Sequence, residues 1–339
     1  MSGKIKIYVS DSIDPWFNLA IEDWLFLDMQ DYDHVLYLWR NNNTVVIGRS
    51  QNPWVECHLE KMEEDGIKLA RRQSGGGAVF HDMGNTNFTF ISKKENYDKT
   101  NNIDIITRAL ASFGVNAYAQ GRNDILVDIE GQPRKVSGSA YKEKSDRAFH
   151  HGTLLLNADL ERLIDYLNPS KKKLAAKGIK SVRSRVANLS ELNQKINHDS
   201  ISAAIVSSFS AFYQVEVVPE KLCVGSLRAR PALNRRYMLL QSWEWLYGQT
   251  LPFTHQLVHR FSWGGIDLRL DVKDATIDSV QFFSDSLYPE MIEDVEKHLR
   301  NCPYTLEGIE SAFGSISMSS QHGGDMLIEL QEYMLKQLR

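Results

Sequence analysis

At 339 residues, with 42% hydrophobic and 24% charged side chains, the chain has the composition of an ordinary globular protein and the length of about two domains. A net charge of −4 and a pI near 6.2 give no global reason to expect nucleic acid or a membrane as a partner. Cys57, Cys223 and Cys302 are too scattered for a disulfide or metal pattern, no apolar run approaches the roughly 18 residues of a membrane span, and Met1–Lys6 lacks a signal-peptide core, so a cytoplasmic setting is expected.

Residues 4–10 alternate Ile5, Ile7 and Val9, a half-buried strand. Asp14-Pro15 starts a helix whose Phe17, Ala20, Ile21, Trp24 and Leu25 share one face. Asn18 and Glu22 fall on another stripe and read as a solvated face. Val35–Arg40 and Thr44–Gly48 read as a hairpin across Asn41-Asn42-Asn43. Trp39 on its first strand reads, as bare sequence, as a core residue. Glu56–Asp65 reads as a helix ended by Gly66, and Ile67–Ala70 as a strand.

The sequence from Leu69 to Ile91 then reads strand, glycine loop, strand, turn, strand. Gly75-Gly76-Gly77 follow Arg71, Arg72 and Ser74. Glycines let backbone N–H groups approach a ligand and reach backbone angles closed to other residues. Successive N–H groups in such a loop form a concave anion site. Arg71 or Arg72 would add a planar, permanently charged phosphate donor.

Ile103–Phe113 is amphipathic, and strands near Val115 and Ile125 bracket Gly121-Arg122-Asn123-Asp124. Lys135 opens the next strand among the small residues of Val136-Ser137-Gly138-Ser139-Ala140. Phe149–Leu156 is a strand with adjacent His150 and His151, of which only one can face a site. Lys171–Arg185 carries seven positive residues and no acid, either a solvated loop or an electropositive lid. Asp199–Tyr213 reads as a helix and Lys221–Met238 as a basic linker. Ile266–Val272 and Ile277–Phe283 alternate as strands around a turn at Asp274-Ala275, and helices follow near 289–299 and 324–338.

Four motifs, RRQSGGGAVFHD (71–82), GRNDI (121–125), RKVSGSA (134–140) and FHHGTLL (149–155), together resemble the lipoate–protein ligase A family. The resemblance covers about the first 215 residues well and 242–288 more loosely. Variants of the glycine and KVSGSA motifs also occur in octanoyl transferases and biotin ligases. It implies an α+β fold: a large mixed/antiparallel-sheet catalytic domain over 1–240 and a smaller C-terminal α+β accessory domain over 241–339.

The family chemistry activates free lipoate (also octanoate) with ATP and Mg²⁺ to lipoyl-AMP, then acylates a lysine of an acceptor protein. Lipoyl domains of 2-oxoacid dehydrogenase E2 subunits and the glycine cleavage H protein are the implied acceptors, and a monomer is expected. By the same resemblance Lys135 is the catalytic cation. Arg72, Ser74, Gly76, Gly77, Ala78, Val79, Phe80, Asn123 and Asp124 would hold nucleotide with it. Trp39, Arg72, His81, Lys135 and His151 would hold lipoate. Asn123 and Asp124 either orient Lys135 or carry Mg²⁺. The alternatives are an ATP-independent octanoyl or lipoyl transferase, against which the lack of a motif cysteine weighs, and a biotin–protein ligase. A non-catalytic binding protein has no support, since Lys135 and Asp124 are both present.

Overall fold

The computed structural model describes residues 3–28, 31–167, 186–247, 255–273, 276–317 and 321–338. The chain forms two units. The first comprises Met1–Ile47, Pro53–Arg72 and Ala78–Leu246; the second comprises Gly48–Asn52, Gln73–Gly77 and Tyr247–Arg339. Chain order suggests one cut near 240. Trp243–Leu246 fall in the first unit, where Trp245 Nε1 donates to Arg71 O at 3.0 Å, and two five-residue excursions fall in the second.

The first unit is built on an eight-stranded mixed sheet. Its strands are β1 (Ile5–Ser10), β2 (His34–Trp39), β6 (Asn85–Lys93), β7 (Ala117–Gln120), β8 (Asp124–Ile129), β9 (Gln132–Glu143), β10 (Arg147–Leu155) and β11 (Glu220–Leu222). They lie in the order β11-β1-β2-β6-β10-β9-β8-β7. Because side chains alternate along a strand, the sheet has two apolar faces. Leu36, Leu38, Phe88, Phe90, Ile125, Val127, Val136 and Leu154 pack on one side against the helices Lys99–Ala111 and His198–Tyr213. Val35, Tyr37, Trp39, Ile91 and Phe149 line the other, with the helix Pro15–Asp28. That helix starts as its sequence implies: Asp14 Oδ1 caps the N–H groups of Trp16 and Phe17 at 2.9 and 3.0 Å.

Three sequence expectations are corrected here. Val35–Arg40 and Thr44–Gly48 are not a hairpin. β2 pairs with β1 and β6, whereas β3 (Thr44–Ile47) belongs to a second sheet with β4 (Lys68–Arg71) and β5 (Val79–His81), in the order β4-β3-β5. Asn41, fully buried, and Asn43, at φ +44°, carry the chain from one sheet to the other. Asn18 and Glu22 are not solvated; they are 0% and 2% exposed. The region 221–238 is not a linker. It supplies β11 and the helix Pro231–Gln241, whose Leu233 and Leu240 pack into the same core as the helix Pro15–Asp28.

The second unit holds an antiparallel sheet of β12 (His255–Phe261), β13 (Gly264–Lys273) and β14 (Thr276–Ser284) and the helices Pro289–Leu299, Leu306–Gly314 and Gln321–Gln337. Its core includes Leu268, Leu270, Phe282, Met291, Val295 and Leu330. β12 and the helix Leu306–Gly314 are additions to the elements legible in the sequence. The implied fold class, a large mixed sheet with a smaller α+β C-terminal part, is the one observed. The expected turn at Asp274-Ala275 and the basic segment Lys171–Arg185 lie outside the described residues.

Candidate functional site

One face of the eight-stranded sheet gathers several of the candidate site residues. Trp39 lies opposite Asn87, Asn87 opposite Thr153, and Gly138 opposite Asp124, so a row of side chains crosses β2, β6, β10, β9 and β8. The Gly138 N–H contacts Thr153 Oγ1 at 3.3 Å and closes the row between β10 and β9. A second row joins Tyr37, Thr89, His151 and Ala140 on the same face.

Strict alternation from Gly138 would send Lys135 to the opposite face. The register between β8 and β9 shifts at Ile125/Leu126: Ile125 faces Ser137 but Leu126 faces Lys135. This bulge inserts Val136 into the core and returns Lys135 to the face of Asp124 and Gly138. Lys135 Nζ then forms an ion pair with Asp124 Oδ1 at 2.6 Å, both side chains about a third exposed. A Cβ on residue 138 would stand 2.9 Å from Lys135 Nζ, so the lysine lies over a glycine. Asn123 is pinned elsewhere: its Nδ2 donates to Ser139 O at 3.0 Å, and its carbonyl accepts from Ser139 N at 2.8 Å. Of the two candidates for orienting Lys135, Asp124 touches it and Asn123 fixes the local backbone.

The β2–β6 end of this face is buried. Trp39 Nε1 donates to Thr89 Oγ1 at 3.0 Å, and Thr89 donates to Glu22 Oε2 at 2.7 Å. His151 Nδ1 lies 2.8–2.9 Å from both Glu22 oxygens. Of the two adjacent histidines, His151 is thus the one facing the site. His150 faces the other core, edge-on to Phe88. Asn18 is the second buried hub. Its Oδ1 accepts from Ser10 Oγ at 2.6 Å and Tyr37 OH at 3.1 Å, and its Nδ2 donates to Asn41 Oδ1 at 3.0 Å. Asn41 Nδ2 in turn lies 3.2 Å from His81 Nδ1. Burial first, then the charges of Arg72 and His151, push the His81 imidazole down to about 3, so it is neutral at physiological pH.

Sequence reasoning misses both Asn18 and Glu22 as buried hubs of this face. A usable signal is present: the helix Pro15–Asp28 is apolar nearly all round, and such a helix is buried together with its polar residues.

The two arginines separate. Arg71 is a strut, with Nε donating to Trp245 O at 2.8 Å and Nη2 to Leu246 O at 2.6 Å. Arg72 is 6% exposed, with Nη1 donating to Val46 O at 3.1 Å. Burial lowers its guanidinium to about 10, opposed by Glu22, and it remains charged at neutral pH. Phe80 packs against the Tyr166 ring, with Arg162 over its face, while Val79 and Ala78 are half-buried.

Ser74, Gly76 and Gly77 belong to the second unit. There Gly76 N donates to Ser286 O at 2.8 Å, and Ser74 O accepts from Arg49 N at 2.9 Å. A Cβ on Gly75 would stand 2.1 Å from Ser286 O, and Gly76 has φ +91°, so close approach and a left-handed backbone both call for glycine here. The expected nucleotide set is thus divided: Arg72 and Ala78–Phe80 in the first unit, Ser74, Gly76 and Gly77 in the second.

Among the described residues no three His, Cys, Asp or Glu side chains form a metal-binding group, and no helix is long and apolar enough to cross a membrane. Cys57 and Cys302 are buried; burial pushes the Cys57 thiol up to about 12.

Residues 14–210 match the family described as "Lipoyl protein ligase A/B catalytic domain", and residues 250–334 match "Bacterial lipoate protein ligase C-terminus". A lipoate-protein ligase A of Bdellovibrio bacteriovorus is 49% identical over 335 residues, covering 99% of each chain. Among solved structures, P. falciparum LipL1 in complex with lipoate matches with a TM-score of 0.87 at 31% identity, over 98% of this chain and 99% of that one. A lipoate-protein ligase A bound with ATP matches with a TM-score of 0.57 at 25% identity, over 73% of this chain and 99% of that one.

Proposed function

Because the chain belongs to the lipoyl protein ligase A/B family, we propose that it is an ATP-dependent lipoate–protein ligase. The carboxylate of (R)-lipoate, or of octanoate, attacks the α-phosphate of ATP; an O–P bond forms and pyrophosphate leaves. The amine of an acceptor lysine then attacks the acyl carbonyl of lipoyl-AMP, loses a proton and displaces AMP. Both nucleophiles come from the substrates, so the protein's task is to position them and to meet the charge growing on phosphate and carbonyl oxygens.

The observation that carries this reading is the Lys135–Asp124 pair at the open end of a sheet face whose other end is buried around Trp39. An acid with a long apolar tail suits that polarity: head at the ammonium, tail against Trp39, His81 and His151. Arg72 and the Ala78–Phe80 backbone would hold the nucleotide. Asp124 orients Lys135 and would lend its carboxylate to Mg²⁺, with phosphate oxygens supplying further ligands, as is usual for that ion. A buried thiol raised to about 12 is a poor nucleophile, which disfavours transfer through an enzyme thioester at Cys57.

The acceptors we propose are the lipoyl domains of 2-oxoacid dehydrogenase E2 subunits and the glycine cleavage H protein, met transiently by a cytoplasmic monomer that salvages free lipoate. Residues 1–240 would form the catalytic domain and 241–339 an accessory one. Mass spectrometry of an isolated lipoyl domain incubated with the protein, ATP, Mg²⁺ and lipoate tests the proposal. The expected result is a gain of one lipoyl group, with AMP and pyrophosphate formed. Formation of ADP, or full turnover from an octanoyl carrier protein without ATP, rules the ligase out.

A further inference from the structure

Two buried N–H donors beside Trp39 have no partner among the described residues. The first is on His81. Asn18 Oδ1 is occupied by the hydroxyls of Ser10 and Tyr37, so Asn18 turns its Nδ2 towards Asn41 Oδ1. Asn41 must then present its own Nδ2 to His81 Nδ1. An amide nitrogen can only donate, so Nδ1 accepts and the imidazole proton sits on Nε2. That Nε2–H, on a side chain 3% exposed, has no acceptor. The second is Asn87 Nδ2, on a side chain 2% exposed whose Oδ1 already accepts from Asn85 Nδ2 at 3.0 Å. Both residues flank Trp39: the His81 ring lies 6.3 Å from its indole, and Asn87 lies directly opposite it on β6.

Leaving a buried donor unpaired is costly, and an acceptor on a ligand beside Trp39 would relieve both. Position in the sheet says which end of a ligand supplies it. Asn87 on β6 stands two strands from Gly138 on β9, over which Lys135 lies, a separation of about 10 Å at about 4.8 Å per strand. That is the span of an eight-carbon acid from carboxyl to tail. We propose that His81 and Asn87 form a donor pair for the far end of the acyl chain and set specificity for acids bearing an acceptor there, such as a cyclic disulfide, over plain alkyl acids. The inference rests on the ligase reading given above. An alkyl terminus would leave both N–H groups unpaired, and sites that hydrogen-bond a substrate discriminate against analogues lacking the partner.

The test is the ratio of kcat/KM for lipoate and octanoate in acyl-adenylate formation, in wild type, Asn87→Leu and Asn87→Ala, with 7-oxooctanoate as a third acid. Wild type should favour lipoate, and 7-oxooctanoate should outperform octanoate. In either variant the lipoate:octanoate ratio should narrow about tenfold, with octanoate gaining in absolute terms in Asn87→Leu. Thermal unfolding of each variant with bound lipoate or octanoate should show the same reordering without turnover. An unchanged ratio in both variants, or no advantage for 7-oxooctanoate, overturns the donor pair while leaving the ligase intact. If wild type forms no adenylate from any of the three acids, the ligase reading falls and the donor pair falls with it.

Discussion

Lys135 Nζ and Asp124 Oδ1 stand 2.6 Å apart because a bulge, and not the regular pleat, puts them on one face of the sheet. Val136 takes the extra position and fills the core, so packing on one side holds the charge on the other. On the proposed mechanism the ammonium is thereby preorganised where both half-reactions would develop negative charge.

Replacing Lys135 by alanine should therefore slow catalysis by roughly 10²–10³-fold, the scale for losing one preorganised donor. Lys135→Arg should not fully rescue, because a planar fork does not fit the place of a compact ammonium beside Asp124. Circular dichroism should show an unchanged fold. Supplying preformed lipoyl-adenylate separates the steps: wild-type transfer from it would confine Lys135 to activation, and wild-type rates in both steps would remove it from the site.

Gly138→Ala offers a gentler probe of the same geometry. The new methyl would meet Lys135 Nζ and Cε at 2.9 and 3.1 Å, so the flexible lysine must move. Activity should drop about 10–100-fold, as for misplacement of a catalytic group by about 1 Å, while stability changes by less than about 1 kcal/mol. Kinetics beside a denaturation curve decides it; full activity would mean that Lys135 need not lie over residue 138.

Trp39 closes the buried end of the face and donates to Thr89. Trp39→Val should admit bulkier carboxylates and cost about 2–4 kcal/mol of stability through the cavity left behind. Acid preference is measured as relative adenylate formation across a series of chain-extended acids. An unaltered preference would make Trp39 a core residue only.

A triple variant, Cys57→Ser, Cys223→Ser and Cys302→Ser, should retain most activity, because the proposed chemistry needs no enzyme thioester. Cys57 is the buried thiol pushed up to about 12. A folded but inactive triple variant would bring acyl transfer through cysteine back to the front.

The second unit carries a pH signature of its own. Glu296 accepts from Phe282 N at 2.6 Å, and burial pushes its carboxyl from 4.5 up to about 7. The folded chain holds this proton more tightly than the unfolded chain. Its contribution therefore favours folding fully below pH 4.5 and is withdrawn as pH rises through about 7. At most about 3 kcal/mol is involved, since each tenfold gain in proton affinity is worth roughly 1.4 kcal/mol. Glu296→Gln should gain stability relative to wild type as pH rises from 4.5 to about 7, the window spanned by the unfolded and folded carboxyl. Parallel stability curves for the two proteins across that range would refute the assignment.

Local chemistry was legible in the amino-acid order. The glycine run, Gly121–Asp124 and the Arg134–Ala140 strand stand out because turns, close backbone approach and strand alternation depend on near neighbours. The Asp14-Pro15 helix start was legible for the same reason. What tertiary structure decided is everything that depends on a distant partner. β2 and β3 look like a hairpin, yet each pairs in a different sheet, because pairing follows long-range burial. Asn18 and Glu22 look solvated, yet become hubs, because whether a polar stripe meets water depends on what packs over it. The bulge at Val136 leaves no mark in the sequence, since a strand with one extra residue reads like any other. It alone determines that Lys135 faces Asp124.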